Sequence, residues 1–113
     1  MNAWIFAGVK RIPKEEIIFD LIFNYFQTTR NNILNKKRLS ELVYPRQVTQ
    51  YLLMSQAQLG CVQIAKIFDC NHSTVLHNNK LVQGQLSCKL DNPYKRDVPV
   101  LIEKLHYHDI TIQ

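Results

Sequence analysis

Between residues 15 and 26, Ile17, Ile18, Leu21, Ile22, Tyr25 and Phe26 recur at the three-to-four spacing that lines one face of a helix. Glu15 and Glu16 put negative charge in the first turn, where unpaired backbone N–H groups favour it. Residues 27–39 break that pattern with Thr28, Thr29, Asn31, Asn32 and Asn35, which predicts turns or a short helix around Ile33 and Leu34. The stretch ends in Lys36, Lys37 and Arg38, read as a basic loop. Pro45 suits the first turn of a second long helix, since its missing N–H would be unpaired there. Val48, Tyr51, Leu52, Ser55 and Leu59 then continue one face as far as Gly60.

Beyond Gly60 the apolar stripe shortens to Ile64, Ala65 and Phe68. Asp69-Cys70-Asn71 interrupts it, and Asn71 or Ser73 can cap a new helix carrying Val75, Val82 and Leu86. Two helices separated by so short a break predict a helix-turn-helix. Gly84 weakens the second of them by about 1 kcal/mol relative to alanine, so its last turns are expected to fray. A final helix is expected to start near Asp97, with Pro99 in its first turn and Val98, Leu101, Ile102 and Leu105 facing inward. No strand-type alternation occurs, and the expected class is all-α.

Composition narrows the picture. A chain of 113 residues has room for one core, and 46% hydrophobic with 20% charged residues is the balance of a globular protein. No apolar run approaches the about 18 residues needed to span a bilayer, and the start lacks the pattern of a secretory signal. Cys61, Cys70 and Cys88 are odd in number and outside CxxC spacing, so reduced thiols and a cytoplasmic, nucleoid-associated location are expected. Fourteen basic against nine acidic side chains give a net charge of +5, which favours a polyanionic partner.

Three blocks within residues 17–86 carry a resemblance. They are Asn35-Lys36-Lys37-Arg38, Tyr44-Pro45-Arg46-Gln47 and Asn71-His72-Ser73-Thr74-Val75-Leu76-His77, with Ile64-Ala65-Lys66-Ile67-Phe68 between the last two. In order and spacing they resemble the C-terminal DNA-binding domains of the bacterial chromosomal replication initiator (DnaA) family, over about two-thirds of the chain. The resemblance implies a small Trp-repressor-like helix-turn-helix on duplex DNA, with one loop in the minor groove and one helix in the major groove. It also implies that Arg38 is the minor-groove arginine and that Arg46 and Gln47 grip the phosphate backbone. Three departures stand out: Asn71 where the family usually has Asp, Met54 where it often has a basic residue, and a turn about one residue shorter before Asn71. The first and third alter the expected base preference, and the second predicts weaker binding.

The residue chemistry is consistent with that reading on its own terms. A helix meeting DNA with its N-terminus offers N–H groups to phosphates while first-turn side chains reach base edges. Asn71, His72, Ser73 and Thr74 form that turn. Asn can pair hydrogen bonds with adenine, His can donate or accept, and the Thr methyl packs on thymine, each contact worth about 1–3 kcal/mol of discrimination. The Arg38 guanidinium suits the negative potential of a narrow A/T-rich minor groove, and Lys36 and Lys37 would neutralise phosphates. His77 and Lys80, one and two turns further along the helix, are placed for the flanking backbone.

The expected organisation is an N-terminal extension over residues 1–14, the helix-turn-helix domain over 15–107 and a tail over 108–113. In the extension, Trp4, Ile5 and Phe6 form an apolar cluster that either docks on the core or meets a protein partner or a second copy. His72 and His77 with Cys61 and Cys70 match no common zinc spacing, no nucleophile lies beside a base, and no G-x-x-x-x-G-K-[ST] loop is present. Neither cofactor, metal, nucleotide nor catalysis is therefore expected. The leading expectation is a sequence-specific reader of double-stranded DNA, acting without ATPase activity in replication or transcription, with no membrane role. Its rival is an adaptor that keeps the fold and binds a protein through Trp4–Phe6. If the chain is no nuclease, magnesium added to the protein and a plasmid leaves the DNA intact on a gel, and nicked product would contradict this.

Overall fold

Six α-helices make up the described residues of the computed structural model, which are 13–35 and 40–112, with side chains to residue 107. They are α1 (Lys14–Phe26), α2 (Arg30–Leu34), α3 (Ser40–Ser55), α4 (Cys61–Phe68), α5 (His72–Ser87) and α6 (Pro93–Ile112). Among these residues there is no strand, and the fold is all-α as the pattern predicts. No helix among them is long and apolar enough to cross a membrane. The Trp4–Phe6 cluster and Lys36, Lys37 and Arg38 lie outside the described residues.

The apolar stripe of α1 buries Ile17, Ile18, Phe19 and Ile22, and the helix ends where Gln27 adopts a left-handed conformation with φ 54°. Thr29 starts the short α2, its hydroxyl accepting from the Asn32 N–H at 3.2 Å. Arg30 ties α2 back to α1 by pairing with Glu16 at 2.7 Å and lying 4.7 Å over the Phe19 ring. Helix α3 contributes Val48, Leu52 and Leu53 to the core and packs against each of the other five helices. Ile64, Ala65 and Phe68 of α4, Val75 and Val82 of α5, and Val98, Leu101 and Leu105 of α6 close the same apolar cluster.

Several boundaries differ from those read in the sequence. Helix α3 begins at Ser40, which makes Pro45 its sixth residue rather than part of its first turn. The proline removes only the bond to the Glu41 carbonyl, near the helix start, and its ring is itself buried. The same helix stops at Ser55 instead of running to Gly60, because Gln58 turns the chain with φ 58° and Gly60 becomes the N-cap of α4. Helix α6 begins at Pro93, not near Asp97. Asn92 caps it, its Oδ1 accepting from the Lys95 N–H at 3.1 Å, so Pro93 takes the tolerated first position and Pro99 falls inside the helix.

Helix α5 runs unbroken past Gly84. Helix α5 reaches Ser87, where the Asn92 side chain donates to the Gln85 carbonyl at 2.9 Å and Leu86 packs on the core. The α6 backbone stays helical to Ile112, through most of the segment set apart as a tail.

Asp97 is 3% exposed and anchors α6 to α1 and α3. Its carboxylate accepts from Tyr25 at 2.7 Å, Tyr44 at 2.6 Å and Arg96 at 3.0 Å. Burial alone would raise its pKa, but the hydrogen bonds from Arg96, Tyr44 and Tyr25 and the Arg96 charge outweigh burial and hold it below its ordinary value of 3.8. Burial, and then the bond to Asp97, pushes Tyr44 well above the usual tyrosine range. A depressed carboxylate stabilises the fold fully above its unfolded pKa and loses that contribution as pH falls through the folded value. Asp97→Asn should therefore lower stability by about 2 kcal/mol at pH 7 in urea unfolding. The gap between variant and wild type should narrow as pH drops below about 4. A gap unchanged from pH 7 to pH 2 would contradict this assignment.

Candidate nucleic-acid interface

The turn between α4 and α5 is built from local hydrogen bonds. The Gly60 N–H donates to Gln63 Oε1 at 3.0 Å and opens α4. At the other end Asp69 is left-handed, with φ 51°, its N–H bonded to the Lys66 carbonyl while the Cys70 N–H reaches the Ala65 carbonyl at 2.9 Å. This is a Schellman closure, a position usually taken by glycine. Asn71 then caps α5, its Oδ1 accepting from the Ser73 N–H at 3.3 Å. Because α5 buries Val75 and Val82 against α3 and α4, Asn71, His72, Ser73, Thr74, His77 and Lys80 all stand exposed.

Beside this face lies an open groove of about 760 Å³. Asn35 borders it from the end of α2, Arg46, Gln47 and Gln50 from α3, and Ser73, Thr74, His77 and Asn78 from α5. The Arg46 guanidinium donates from Nε to the Ile33 carbonyl at 2.8 Å, and also to the carbonyls of Asn32 and Asn35. Burial lowers its pKa from the ordinary arginine value. Gln47 Oε1 accepts from the Tyr94 hydroxyl at 2.7 Å, and Gln50 Oε1 accepts from Asn78 Nδ2 at 2.8 Å, which fastens α5 to α3. Asp69 and Cys70 also line the groove; burial, with the Asp69 charge, raises the Cys70 pKa and keeps that sulfur a thiol.

Five of the ten residues expected to meet DNA thus converge on one groove: Arg46, Gln47, Ser73, Thr74 and His77. Asn71 and His72 sit at the exposed start of α5, just outside the lining, and Asn71 spends its oxygen on the cap. Lys36, Lys37 and Arg38 lie outside the described residues, but Asn35, which immediately precedes them, lines the groove. Sequence reasoning missed Gln50, Asn78, Tyr94 and Asp97. A signal was available for Asn78: it falls on the stripe of Val75 and Val82, where a polar residue implies a buried partner.

A second helix held across a three-residue turn, its polar face beside an open groove, defines a helix-turn-helix domain. The family described as bacterial dnaA protein helix-turn-helix matches residues 15–82, and the chain belongs to that family. Among its relatives are three chromosomal replication initiator proteins DnaA. That of Lachnoclostridium phytofermentans is 29% identical over 86% of this chain and 21% of its own length. That of Limosilactobacillus reuteri is 31% identical over 87% of this chain and 23% of its own. That of Bacteroides fragilis is 33% identical over 79% and 18%. The chain spans about a fifth of the length of the curated relatives it matches.

The left-handed Asp69 and the Asn71 cap each make a prediction for stability. Asp69→Gly should be more stable than Asp69→Ala by about 1 kcal/mol, because both lose the carboxylate and only glycine adopts that conformation without a Cβ penalty. Asn71→Ala should cost about 1 kcal/mol through the lost cap, whereas Asn71→Asp should cost little. Thermal unfolding of the four variants checks this, and an Asp69→Gly no more stable than Asp69→Ala would contradict it.

Proposed function

We propose that this chain is a sequence-specific reader of double-stranded DNA, with α5 as the recognition helix and the α3 start as its phosphate grip. The observation that carries the reading is the shared groove: Arg46 and Gln47 from α3 stand across it from Ser73, Thr74 and His77 of α5. Helix α5 would enter the major groove by its N-terminal turn, where Asn71, His72 and Thr74 are exposed and would face base edges. Lys36 and Lys37 would neutralise phosphates and Arg38 would enter the minor groove. Asn35, which borders the groove, directly precedes this basic run in the sequence, and that adjacency supports the arrangement. The names of the relatives point to replication control as the setting, with transcription at the same sites as a consequence of occupancy. Hydrogen bonds and ion pairs to duplex DNA form at equilibrium, so binding would need no ATP turnover, and it would take place at the nucleoid.

A single module of this size buries about 600–1,000 Å² on DNA, so useful affinity would come from clustered sites. Selection from a random duplex pool should return a short mixed-base core flanked by A/T pairs. On the selected duplex, about five neutralised phosphates should give a slope of log K against log salt near −4 to −5. His72→Ala should weaken the selected duplex about five- to a hundredfold while affecting unrelated duplex much less. A flat salt response, or equal loss on both duplexes, would contradict the reading.

A further inference from the structure

Helix α6 starts beyond the residues that the family model matches, yet through Tyr94 it touches Gln47, a residue that lines the groove. The Tyr94 hydroxyl donates to Gln47 Oε1 at 2.7 Å, and Gln47 lines the groove beside Arg46. A phosphate oxygen only accepts hydrogen bonds, so a glutamine helps there only when its amide presents N–H rather than C=O. An unrestrained amide turns either end outward. A phenol hydroxyl can accept as well as donate, but its oxygen is a weak acceptor and an amide oxygen a strong one, so Tyr94 as donor favours the oxygen-inward end. We propose that Tyr94 is a positioning residue that fixes the Gln47 amide with its oxygen inward and its N–H groups toward a DNA phosphate.

Tyr94 is itself held in place. Its ring packs edge-on against Tyr44 at 4.8 Å, and the Tyr44 hydroxyl donates to buried Asp97 at 2.6 Å. Tyr94 and Asp97 are three residues apart on α6 and so share a face. Burial raises the Tyr94 pKa, which keeps the hydroxyl a donor throughout the neutral range. The node that binds α6 to the core therefore also aims a side chain at the groove.

This inference rests on the DNA-binding reading, and a double-mutant cycle separates the two. Tyr94→Phe keeps the ring and its packing and removes only the hydroxyl. Affinity is measured at fixed salt on a duplex that the wild-type chain selects from a random pool. Tyr94→Phe should weaken binding about three- to tenfold, the effect of one hydrogen bond, with the salt slope unchanged because no charge is lost. In a Gln47→Ala background the same substitution should have no further effect. A loss of equal size in both backgrounds would mark Tyr94 as a packing residue and overturn the inference, as would wild-type affinity in Tyr94→Phe. Both outcomes leave the DNA-binding reading standing. A wild-type chain that selects no duplex removes that reading and this inference with it.

Discussion

Burial of α3 is the condition on which the remaining architecture rests. Val48, Leu52 and Leu53 are at most 2% exposed, and each such side chain contributes about 1.5–3 kcal/mol relative to an exposed one. The other five described helices all pack on it. Between these apolar contacts α3 makes directional ones: Tyr44 to Asp97, Gln47 to Tyr94 and Gln50 to Asn78. Apolar burial fixes how close the helices come, and the hydrogen bonds fix their rotation. Because Val75, Asn78 and Val82 already secure α5, its outward face carries no packing demand and can hold Ser73, Thr74 and His77 for another purpose.

How much of this was legible in the sequence depended on whether the deciding contact is local. The stripes of α1 and α4 and the break at residues 69–71 follow from helical spacing, and they stand where they were expected. The starts of α3 and α6 do not. Pro45, Pro93 and Pro99 all satisfy the same rule for a first turn, and only the Asn92 cap settles the matter for α6. The Asp97 node was out of reach for a different reason: Tyr25 and Tyr44 lie 72 and 53 residues away, so no window along the chain contains it.

The candidate site divides along the same line. Ser73, Thr74 and His77 follow from a turn motif and share the groove with Arg46 and Gln47. What spacing did not disclose is how those α3 side chains are already engaged. Arg46 binds three carbonyls around the end of α2, holding that segment beside the groove, and Gln47 leans on α6. Asn71, read as a base contact, is first a helix cap. Arg46, Gln47 and Asn71 thus serve the fold, so the face is organised in the free chain, which would lower the ordering cost of any association.

Chemical-shift mapping of the isotope-labelled chain, titrated with duplex DNA, tests the central claim most directly. The account predicts the largest changes at Arg46, Gln47, Ser73, Thr74 and His77, with Leu21, Val100 and Tyr107 between α1 and α6 unmoved. Changes concentrated on Leu21, Val100 and Tyr107, or none at saturating duplex, would contradict it.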